Sequence, residues 1–318
     1  MSNIKDVAAL AGVSVTTVSR VLNKRGYISK EVYAKVYDAM EQLDYQPNQI
    51  ARSLYSQKTN CVGVLIPDVS HPFFAEIVKR IEGELNQQGY RIFLCNAVGD
   101  GVREQEYLSM LRQNKVDGII IATHMLETSL YESLDLPIVA LDLELGESIP
   151  TVCADHERGG RLAAQELIRS GCRCVLNVGG NMDVKTPSIR RYRACEAMLR
   201  EAGVDCIRQT YQVEIERLLR QYPQADGLFS TDLIALNAMK LLNTHGVNVP
   251  DAFSIVGYDG VEISSLCTPA LTHVRQPLQQ LADVCVQTLV RKMQGENLTK
   301  NVILEDVELV RGGTTRPM

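Results

Sequence analysis

Residues 4–23 read IKDVAALAGVSVTTVSRVLN, and the spacing of their apolar side chains predicts two short helices joined by a tight turn. Apolar residues recur at helical spacing from Ile4 to Ala11, and Gly12 then accepts the left-handed backbone conformation of a turn. Ser14 is a favourable N-cap for the second helix, because its hydroxyl can accept a hydrogen bond from a free backbone amide. This spacing is typical of a helix-turn-helix unit, whose second helix enters the major groove of DNA.

The outward positions of the second predicted helix carry side chains that can recognise base edges. Arg20 can donate hydrogen bonds to guanine, and Val15 with the methyl group of Thr16 can contact the methyl group of thymine. We therefore predict DNA contacts from Val15, Thr16, Thr17, Arg20 and Asn23. Small helical units with a purely structural role share this pattern, so the following residues bear on the choice between the two interpretations.

A third amphipathic helix and a very short fourth one are predicted after this unit. Ser29 caps the third helix, which ends before Pro47 because a proline disfavours helical backbone in the residue before it. Asn48 then caps the segment 49–54, QIARSL, which is far shorter than the roughly 12 to 15 residues that an isolated helix needs in water. That segment therefore needs a partner in order to fold.

Charge is distributed unevenly along the chain. The formal net charge is −5, which by itself argues against a nucleic-acid partner. Residues 1–60, however, hold eight Lys and Arg against five Asp and Glu, which leaves a charge of −8 on the remaining 258 residues. Because the N-terminal segment is only weakly basic, tight DNA binding requires a specific fit or the two N-terminal segments of a dimer.

From residue 60 onward, apolar runs alternate with amphipathic helical stretches. This alternation indicates parallel sheets with helices on both faces, and two such lobes fit the length better than one. The predicted strands are 61–67, 91–97, 116–122, 137–142, 175–179, 227–231 and 254–259. The expected fold class is an N-terminal all-α helix-turn-helix headpiece followed by an α/β two-lobed core with parallel, doubly wound sheets.

We expect the following domain boundaries. The helix-turn-helix headpiece spans residues 1–46, a hinge helix and linker span 47–58, and the core spans 59–318. Within the core, the first lobe is expected at about 59–157 and 277–302, and the second at about 158–276 and 303–318.

Polar and aromatic residues follow the predicted strands, at the edge where open α/β sheets bind their ligands. Carboxylates and an arginine beside an aromatic ring suit a neutral polyhydroxylated ligand, because charged groups hydrogen-bond hydroxyls and a ring stacks on a sugar face. The predicted effector-binding residues are Asp68, His71, Phe73, His124, Asp142, Asp155, Arg191, Asp232, Asp259 and Gln276. For any single one a structural role is an equally good interpretation, since Asp232, for example, stands where a helix N-cap would.

Several motifs resemble the LacI/GalR family of bacterial regulators. Residues 4–8 (IKDVA), 11–14 (AGVS), 17–23 (TVSRVLN) and 51–54 (ARSL) are similar to the family's headpiece and hinge. The resemblance implies that Val15, Thr16 and Arg20 read the major groove. It also implies that the hinge helix orders only on DNA, where Leu54 wedges into the minor groove and kinks the duplex. Asn48 and Ala51 belong to the same predicted DNA-binding hinge.

The resemblance continues into the core. Residues 255–259 (IVGYD) and 271–277 (LTHVRQP) are similar to the family's periplasmic-binding-protein-like core, which implies effector contacts from Phe73, Arg191, Asp232 and Asp259. The family's usual Asp-Arg pair is Asp142-Leu143 here, and its usual Asn-Asp pair is Thr231-Asp232, so the effector need not be the commonest pentose or hexose. Stretches such as 116–120 (VDGII) and 161–165 (RLAAQ) resemble sucrose operon repressors, which hints at a carbohydrate effector.

The sequence thus predicts a repressor of a carbohydrate-utilisation operon. A homodimer would hold double-stranded operator DNA, and a small sugar or sugar phosphate would release it by changing the geometry between the lobes. A regulator that needs a corepressor such as a purine is the alternative. The chain stops a few residues after Arg311, so we expect no C-terminal tetramerisation helix.

Other classes of protein find little support in the sequence. It has no phosphate-binding loop, nucleophile elbow or paired zinc histidines, so we expect no enzyme activity, metal or cofactor. A sugar-binding transport receptor would need an export signal and no headpiece. Without such a signal or a membrane-spanning apolar run, we expect a cytoplasmic protein with no membrane partner. The nine cysteines form no Cys-x-x-Cys pair and are interpreted as buried thiols.

Overall fold

The computed structural model describes residues 2–23, 26–46, 58–98, 100–123, 126–180 and 186–317. The chain divides into a small unit, Met1–Thr59, and a large unit, Asn60–Met318. Four residues with predicted binding roles lie outside the described residues, namely Asn48, Ala51, Leu54 and His124.

Three helices form the described part of the small unit: α1 (Ile4–Leu10), α2 (Val15–Leu22) and α3 (Lys30–Gln42). The predicted caps are present, because Ser14 accepts a hydrogen bond from the amide of Thr17 at 3.1 Å and Ser29 from the amide of Val32 at 3.4 Å. Gly12 joins α1 to α2 with a φ of +65°. The helices meet in a core of Val7, Ala8, Ala11, Val18, Val21, Val36 and Ala39.

The first sheet of the large unit has, among the described residues, the strand order β2-β1-β3-β4-β5-β11, and all neighbouring pairs are parallel. Its inner strands β3 and β4 are buried along their whole length, as nearly continuous apolar runs in a doubly wound sheet should be. The strands are β1 (Cys61–Ile66), β2 (Arg91–Asn96), β3 (Gly118–Ile121), β4 (Ile138–Leu141), β5 (Thr151–Ala154) and β11 (Val302–Leu304).

The second sheet repeats this arrangement, with the described order β7-β6-β8-β9-β10-β12. Its pairs are parallel except the last, in which β12 runs antiparallel to β10. The strands are β6 (Cys174–Gly179), β7 (Asp205–Thr210), β8 (Gly227–Phe229), β9 (Ser254–Asp259), β10 (Thr272–Arg275) and β12 (Glu308–Val310). Two parallel, doubly wound sheets therefore confirm the predicted fold class of the core.

Helices cover both faces of each sheet and bury an apolar core on each face. Those around the first sheet are α4 (Pro72–Gln87), α5 (Gly101–Gln113), α6 (Thr128–Glu132) and α12 (Leu278–Met293). Those around the second sheet are α7 (His156–Arg169), α8 (Ile189–Glu201), α9 (Ile215–Gln221), α10 (Asp232–Thr244) and α11 (Ile263–Leu266).

The large unit consists of two lobes, one around each sheet, and its chain passes between them after Ala154, after Arg275 and after Leu304. The third passage differs from the expected boundary near residue 302, because β11 extends the first sheet to Leu304. In both lobes the strand order reverses beside the first strand, which is where open α/β sheets form a ligand crevice at their carboxyl ends.

Two further features of the described residues bear on the class of protein. No helix there has the length and apolarity that crossing a membrane requires. All nine cysteines are free, and six of them are buried. Cys61, Cys206 and Cys267 are only half-buried, which corrects the interpretation of all nine as buried thiols.

Candidate functional site

The second helix of the small unit presents most of its predicted DNA contacts to solvent. Val15, Thr16 and Arg20 are exposed, whereas Val18 and Val21 on the opposite side are fully buried. This division fixes the rotation of α2, because its apolar face packs on the other two helices. The side chains proposed to reach base edges are therefore free to do so.

Thr17 and Asn23 are more constrained than the sequence suggests. The Thr17 hydroxyl lies 2.9 Å from that of Ser14, and the Asn23 amide nitrogen donates a hydrogen bond to the Ser19 carbonyl at 2.8 Å. Asn23 stands at the C-cap of α2, and the same Ser19 carbonyl also accepts a hydrogen bond from the backbone amide of Asn23 at 3.0 Å. Each of these two side chains has a structural bond in addition to any DNA contact.

A cavity of about 460 Å³ lies where the carboxyl ends of the strands of both sheets meet. Residues that follow β1, β4, β7, β8, β9 and β10 contribute to its wall, together with the first turns of α4, α8 and α10. The lining residues are Pro67, Asp68, His71, Phe73, Phe74, Asp142, Ser188, Arg191, Tyr211, Thr231, Leu233, Ile234, Asp259 and Gln276. The position is the one that strand topology predicts for a ligand.

Seven of the ten predicted effector residues line this cavity. They are Asp68, His71, Phe73, Asp142, Arg191, Asp259 and Gln276. His124 lies outside the described residues, and two others, Asp155 and Asp232, do not line the cavity.

The two aspartates that do not line the cavity have structural roles in the described part of the chain. Asp155 caps α7 by accepting a hydrogen bond from the amide of Arg158 at 2.9 Å. Asp232 is buried, and one of its carboxylate oxygens accepts bonds from the amides of Gly260 and Val261 and from the hydroxyl of Ser264. It therefore fixes the turn that follows Asp259. Neither residue lines the cavity in this structure, and effector contacts from Asp155 and Asp232 stay a prediction.

Arg191 is the buried cation of the cavity. Its guanidinium carbon lies 4.2 Å from the centre of the Tyr258 ring and 5.0 Å from that of Tyr192, so two aromatic faces support the charge. A terminal nitrogen lies 3.8 Å from Oδ1 of Asp259, while Nε has no hydrogen-bond partner among the described residues. A buried donor without a partner is costly, so a ligand hydroxyl or water at this position would be stabilising.

Asp259 and Gln276 line the cavity together with Arg191. The Gln276 amide nitrogen donates to Oδ1 of Asp259 at 2.9 Å, and both residues are buried. Burial raises the pKa of the Asp259 carboxyl above its ordinary value, and the nearby guanidinium of Arg191 only partly offsets this. A carboxyl in this environment can donate as well as accept hydrogen bonds, which suits ligand hydroxyls.

Asp142 reaches the cavity from the first lobe and belongs to a chain of hydrogen bonds. Its Oδ1 lies 2.5 Å from Nε2 of the buried His156, and Nδ1 of His156 lies 2.9 Å from the Tyr258 hydroxyl. Asp142 and Asp259 both have positive φ values, +60° and +126°. Such backbone is uncommon outside glycine and recurs at functional sites, where it directs a side chain that ordinary geometry would not.

Aromatic rings line another part of the cavity. Phe73 and Phe74 meet edge to face with ring centres 5.2 Å apart, and His71 packs against Phe74 at 5.6 Å. Burial lowers the pKa of His71, so its imidazole is neutral near pH 7, and Nδ1 has no hydrogen-bond partner among the described residues. This part of the cavity therefore combines apolar ring faces with a ring nitrogen that has no hydrogen-bond partner among the described residues.

The sequence argument missed seven of the lining residues: Pro67, Phe74, Ser188, Tyr211, Thr231, Leu233 and Ile234. Pro67 and Thr231 are the last residues of predicted strands, and they lie beyond the ends of the observed strands β1 and β8. Tyr211 directly follows β7, a strand that the sequence analysis did not predict. Its ring closes one side of the cavity and remains 55% exposed, which leaves it available to a ligand.

A helix-turn-helix unit followed by a two-lobed core with a polar and aromatic cavity between the lobes defines a class, the ligand-responsive DNA-binding regulators. Residues 3–48 match the bacterial regulatory proteins of the lacI family, and residues 164–315 match the periplasmic binding protein-like domain. Together with the relatives below, these matches show that the chain belongs to the LacI family of bacterial transcriptional regulators, which are repressors rather than enzymes.

Relatives in this family match nearly the whole chain. The ribose operon repressor of Halalkalibacterium halodurans is 39% identical over 94% of this chain and 92% of the relative. The sucrose operon repressor of Streptococcus mutans is 35% identical over 96% of this chain and 97% of the relative. Among solved structures, the lac repressor dimer bound to operator and the anti-inducer ONPF is 26% identical, with a TM-score of 0.86 and 99% of both chains covered.

Proposed function

We propose that this protein is a sequence-specific repressor of a carbohydrate-utilisation operon, and that a small sugar bound between the lobes releases it from its operator. The observation that carries the proposal is the cavity, which is lined both by buried hydrogen-bonding groups on Arg191, Asp259 and Gln276 and by the rings of Phe73 and Tyr211. Hydroxyls and a weakly polar ring face of a sugar match these two surfaces. The names of the ribose and sucrose operon relatives support the same ligand class.

The charges around the cavity favour an uncharged sugar over a sugar phosphate. Three carboxyl groups, Asp68, Asp142 and Asp259, line it against one arginine. Arg191 already has Asp259 as a neighbour at 3.8 Å and is the one Lys or Arg among the described lining residues. A phosphate dianion would meet repulsion from the partly exposed carboxylates of Asp68 and Asp142.

We further propose that two chains present their helix-turn-helix units to a roughly palindromic operator. One unit is only weakly basic, so doubling it supplies affinity that long-range attraction alone lacks. Val15, Thr16, Thr17, Arg20 and Asn23 are the proposed contacts in the described part of the headpiece. Asn48, Ala51 and Leu54 are proposed for the hinge.

A two-stage experiment tests the function. Thermal denaturation of the purified chain is followed with D-ribose, D-fructose, D-glucose, sucrose, the corresponding phosphates and a set of purines, since a ligand that binds the native state raises the unfolding temperature. Operator duplexes are selected from a randomised palindromic pool, and their binding is then titrated with each stabilising sugar.

The expected result is stabilisation by an unphosphorylated sugar that also weakens operator binding. A stabilising sugar that tightens operator binding would make it a corepressor and overturn the direction of control. No response to any sugar, with stabilisation by a purine instead, would overturn the carbohydrate assignment while leaving DNA binding to be judged by the duplex selection.

A further inference from the structure

The hydrogen-bonded chain Asp142, His156, Tyr258 joins the two lobes beneath the cavity. Asp142 follows β4 of the first sheet, whereas Tyr258 belongs to β9 of the second. His156 is the first residue of α7, a helix that packs on the second sheet through Ala163, Ala164 and Leu167. The bond between His156 and Asp142 at 2.5 Å therefore crosses from one lobe to the other.

With a neutral His156, the donors and acceptors of these hydrogen bonds have a single direction. The carboxylate of Asp142 only accepts, so Nε2 of His156 carries the proton. In a neutral imidazole Nδ1 is then the acceptor, and the Tyr258 hydroxyl donates to it across 2.9 Å. Burial raises the pKa of Tyr258, which keeps its proton in place. A new hydrogen-bond partner for Asp142 therefore alters the bond between His156 and Tyr258, and a change at Tyr258 alters the bond between His156 and Asp142.

The series of hydrogen bonds ends at Tyr258, whose ring lies against the arginine of the cavity. The Tyr258 ring is fully buried, and the guanidinium of Arg191 rests on its face at 4.2 Å. Gly159 makes room for this ring, because a Cβ atom there would lie 2.7 Å from the Tyr258 hydroxyl oxygen. The hydroxyl end of Tyr258 thus lies against α7 at His156 and Gly159, while the face of its ring supports the cavity's buried cation.

We propose that His156 is a positioning residue that couples the two halves of the effector site. It holds the carboxylate of Asp142 on the first lobe and, through Tyr258, the guanidinium of Arg191 on the second. A sugar hydroxyl that binds Asp142 therefore changes how Tyr258 holds the guanidinium of Arg191 on the other lobe. His156 itself does not line the cavity. This inference rests on the proposed effector site.

The first test needs no ligand and follows the two ring nitrogens of His156 by NMR in protein with 15N-labelled histidine. The chain has five histidines, and His156→Gln identifies the signals by their loss. The proton is expected on Nε2. Asp142→Asn is expected to shift the resonance of Nδ1, the nitrogen that faces Tyr258, and Tyr258→Phe that of Nε2, which faces Asp142.

A matched control comes from another side-chain pair between the lobes. Glu144 accepts a hydrogen bond from Arg190 at 2.6 Å, two residues along from Asp142, and both side chains are partly exposed. Glu144→Gln removes one charge from the same loop and is expected to leave both His156 nitrogens unchanged. A proton on Nδ1, or an Nδ1 resonance that Asp142→Asn does not move more than Glu144→Gln does, would overturn the proposal.

The second test measures sugar affinity with D-ribose and sucrose as probes. His156→Gln keeps an amide nitrogen for Asp142 but loses Tyr258, and Tyr258→Phe keeps the ring under Arg191 but loses the hydroxyl. Each is expected to weaken binding by about tenfold, as for one lost hydrogen bond. Because both changes cut the same bond, the double variant should be no weaker than either single one.

The two tests separate the inference from the proposed function. A double variant weakened by the product of the two single effects, about a hundredfold, would show independent roles and overturn the coupling. If neither probe binds the unaltered chain, the proposed effector class loses support, whereas the ring-nitrogen measurement still decides whether His156 couples the lobes.

Discussion

Arg191 illustrates how a single charged side chain can be held inside a protein. Two tyrosine faces, a carboxyl group at 3.8 Å and the polar surface of the cavity surround a cation that would otherwise be costly to bury. Its Nε remains without a hydrogen-bond partner in the described chain. The side chain is therefore arranged for an additional acceptor, such as a ligand hydroxyl.

Arg191→Ala should abolish the effector response and leave operator binding intact. Losing hydrogen bonds from a charged group should weaken sugar binding by about 1.5 to 3 kcal/mol or more. Calorimetric titration measures the sugar affinity, and gel-shift titration measures operator affinity. Arg190→Ala is the control, because Arg190 is half-exposed and does not line the cavity. An unchanged sugar dose response in Arg191→Ala would remove Arg191 from the site.

Asp259 should make the stability of the protein depend on pH. Burial raises its pKa in the folded chain above the ordinary 3.8, so at higher pH the unfolded chain has lost a proton that the folded chain retains. The free energy of unfolding should therefore fall as pH rises above 3.8, by at most about 1.4 kcal/mol per pH unit from this group.

Asp259→Asn removes this titration and keeps an amide oxygen for the bond from Gln276. Urea unfolding at about pH 5 and about pH 7 should show a smaller loss of stability with rising pH in Asp259→Asn than in the unaltered chain. Equal losses in the two proteins would mean that Asp259 is already ionised in the folded state at the lower pH.

At the scale of elements, two adjacent glycines bring α7, α8 and β9 together. Gly159 faces the Tyr258 ring, and a Cβ atom on Gly160 would lie 2.0 Å from the backbone oxygen of Arg191. The close approach of α7 and α8 thus sets the position of the backbone that carries the cavity's arginine. The packing of these helices therefore also determines the geometry of the site.

Gly160→Ala should destabilise the protein, because a methyl group would force the backbone of α8 away. A cost of about 1 to 3 kcal/mol is expected, as for other overpacked positions. Gly83→Ala in α4 is the control, since nothing lies within 4 Å of its added Cβ. That change should be neutral or stabilise by about 0.4 to 1 kcal/mol. Urea unfolding compares them, and equal midpoints would contradict the packing argument.

At the scale of the whole molecule, the function requires a response that connects sugar and operator. Thermodynamic linkage makes this response reciprocal, because both ligands act on one set of conformational states. The factor by which the sugar weakens operator binding must equal the factor by which the operator weakens sugar binding. A typical coupling of about 1 to 3 kcal/mol corresponds to roughly 5-fold to 150-fold.

Sugar titrations with and without saturating operator duplex should therefore give a ratio of dissociation constants equal to that from operator titrations with and without sugar. The measurement uses the intact chain at one salt concentration, since DNA affinity depends strongly on salt. Sugar affinity that is the same with and without operator, alongside a clear loss of operator binding with sugar, would mean that the two titrations do not report one equilibrium.

The sequence by itself determined those features that local chemistry fixes. Caps at Ser14 and Ser29, the turn at Gly12 and the apolar periodicity specify the helical unit, because each acts over one or two helical turns. The long apolar strands were likewise predictable, since full burial in a parallel sheet demands an apolar run. The strands β5, β7, β10, β11 and β12 were not predicted, and none of them contains more than three consecutive apolar residues.

The tertiary structure alone decided which polar residues meet in the cavity. Asp155 and Asp232 follow strands as Asp68 does, yet their carboxylates accept hydrogen bonds from backbone amides and are not among the residues that line the cavity. His156 and Tyr258 are 102 positions apart, and their bond exists because α7 packs on the second sheet beside β9, while the bond of His156 to Asp142 exists because the two lobes meet. A local pattern cannot encode such a contact, since it depends on how whole lobes pack.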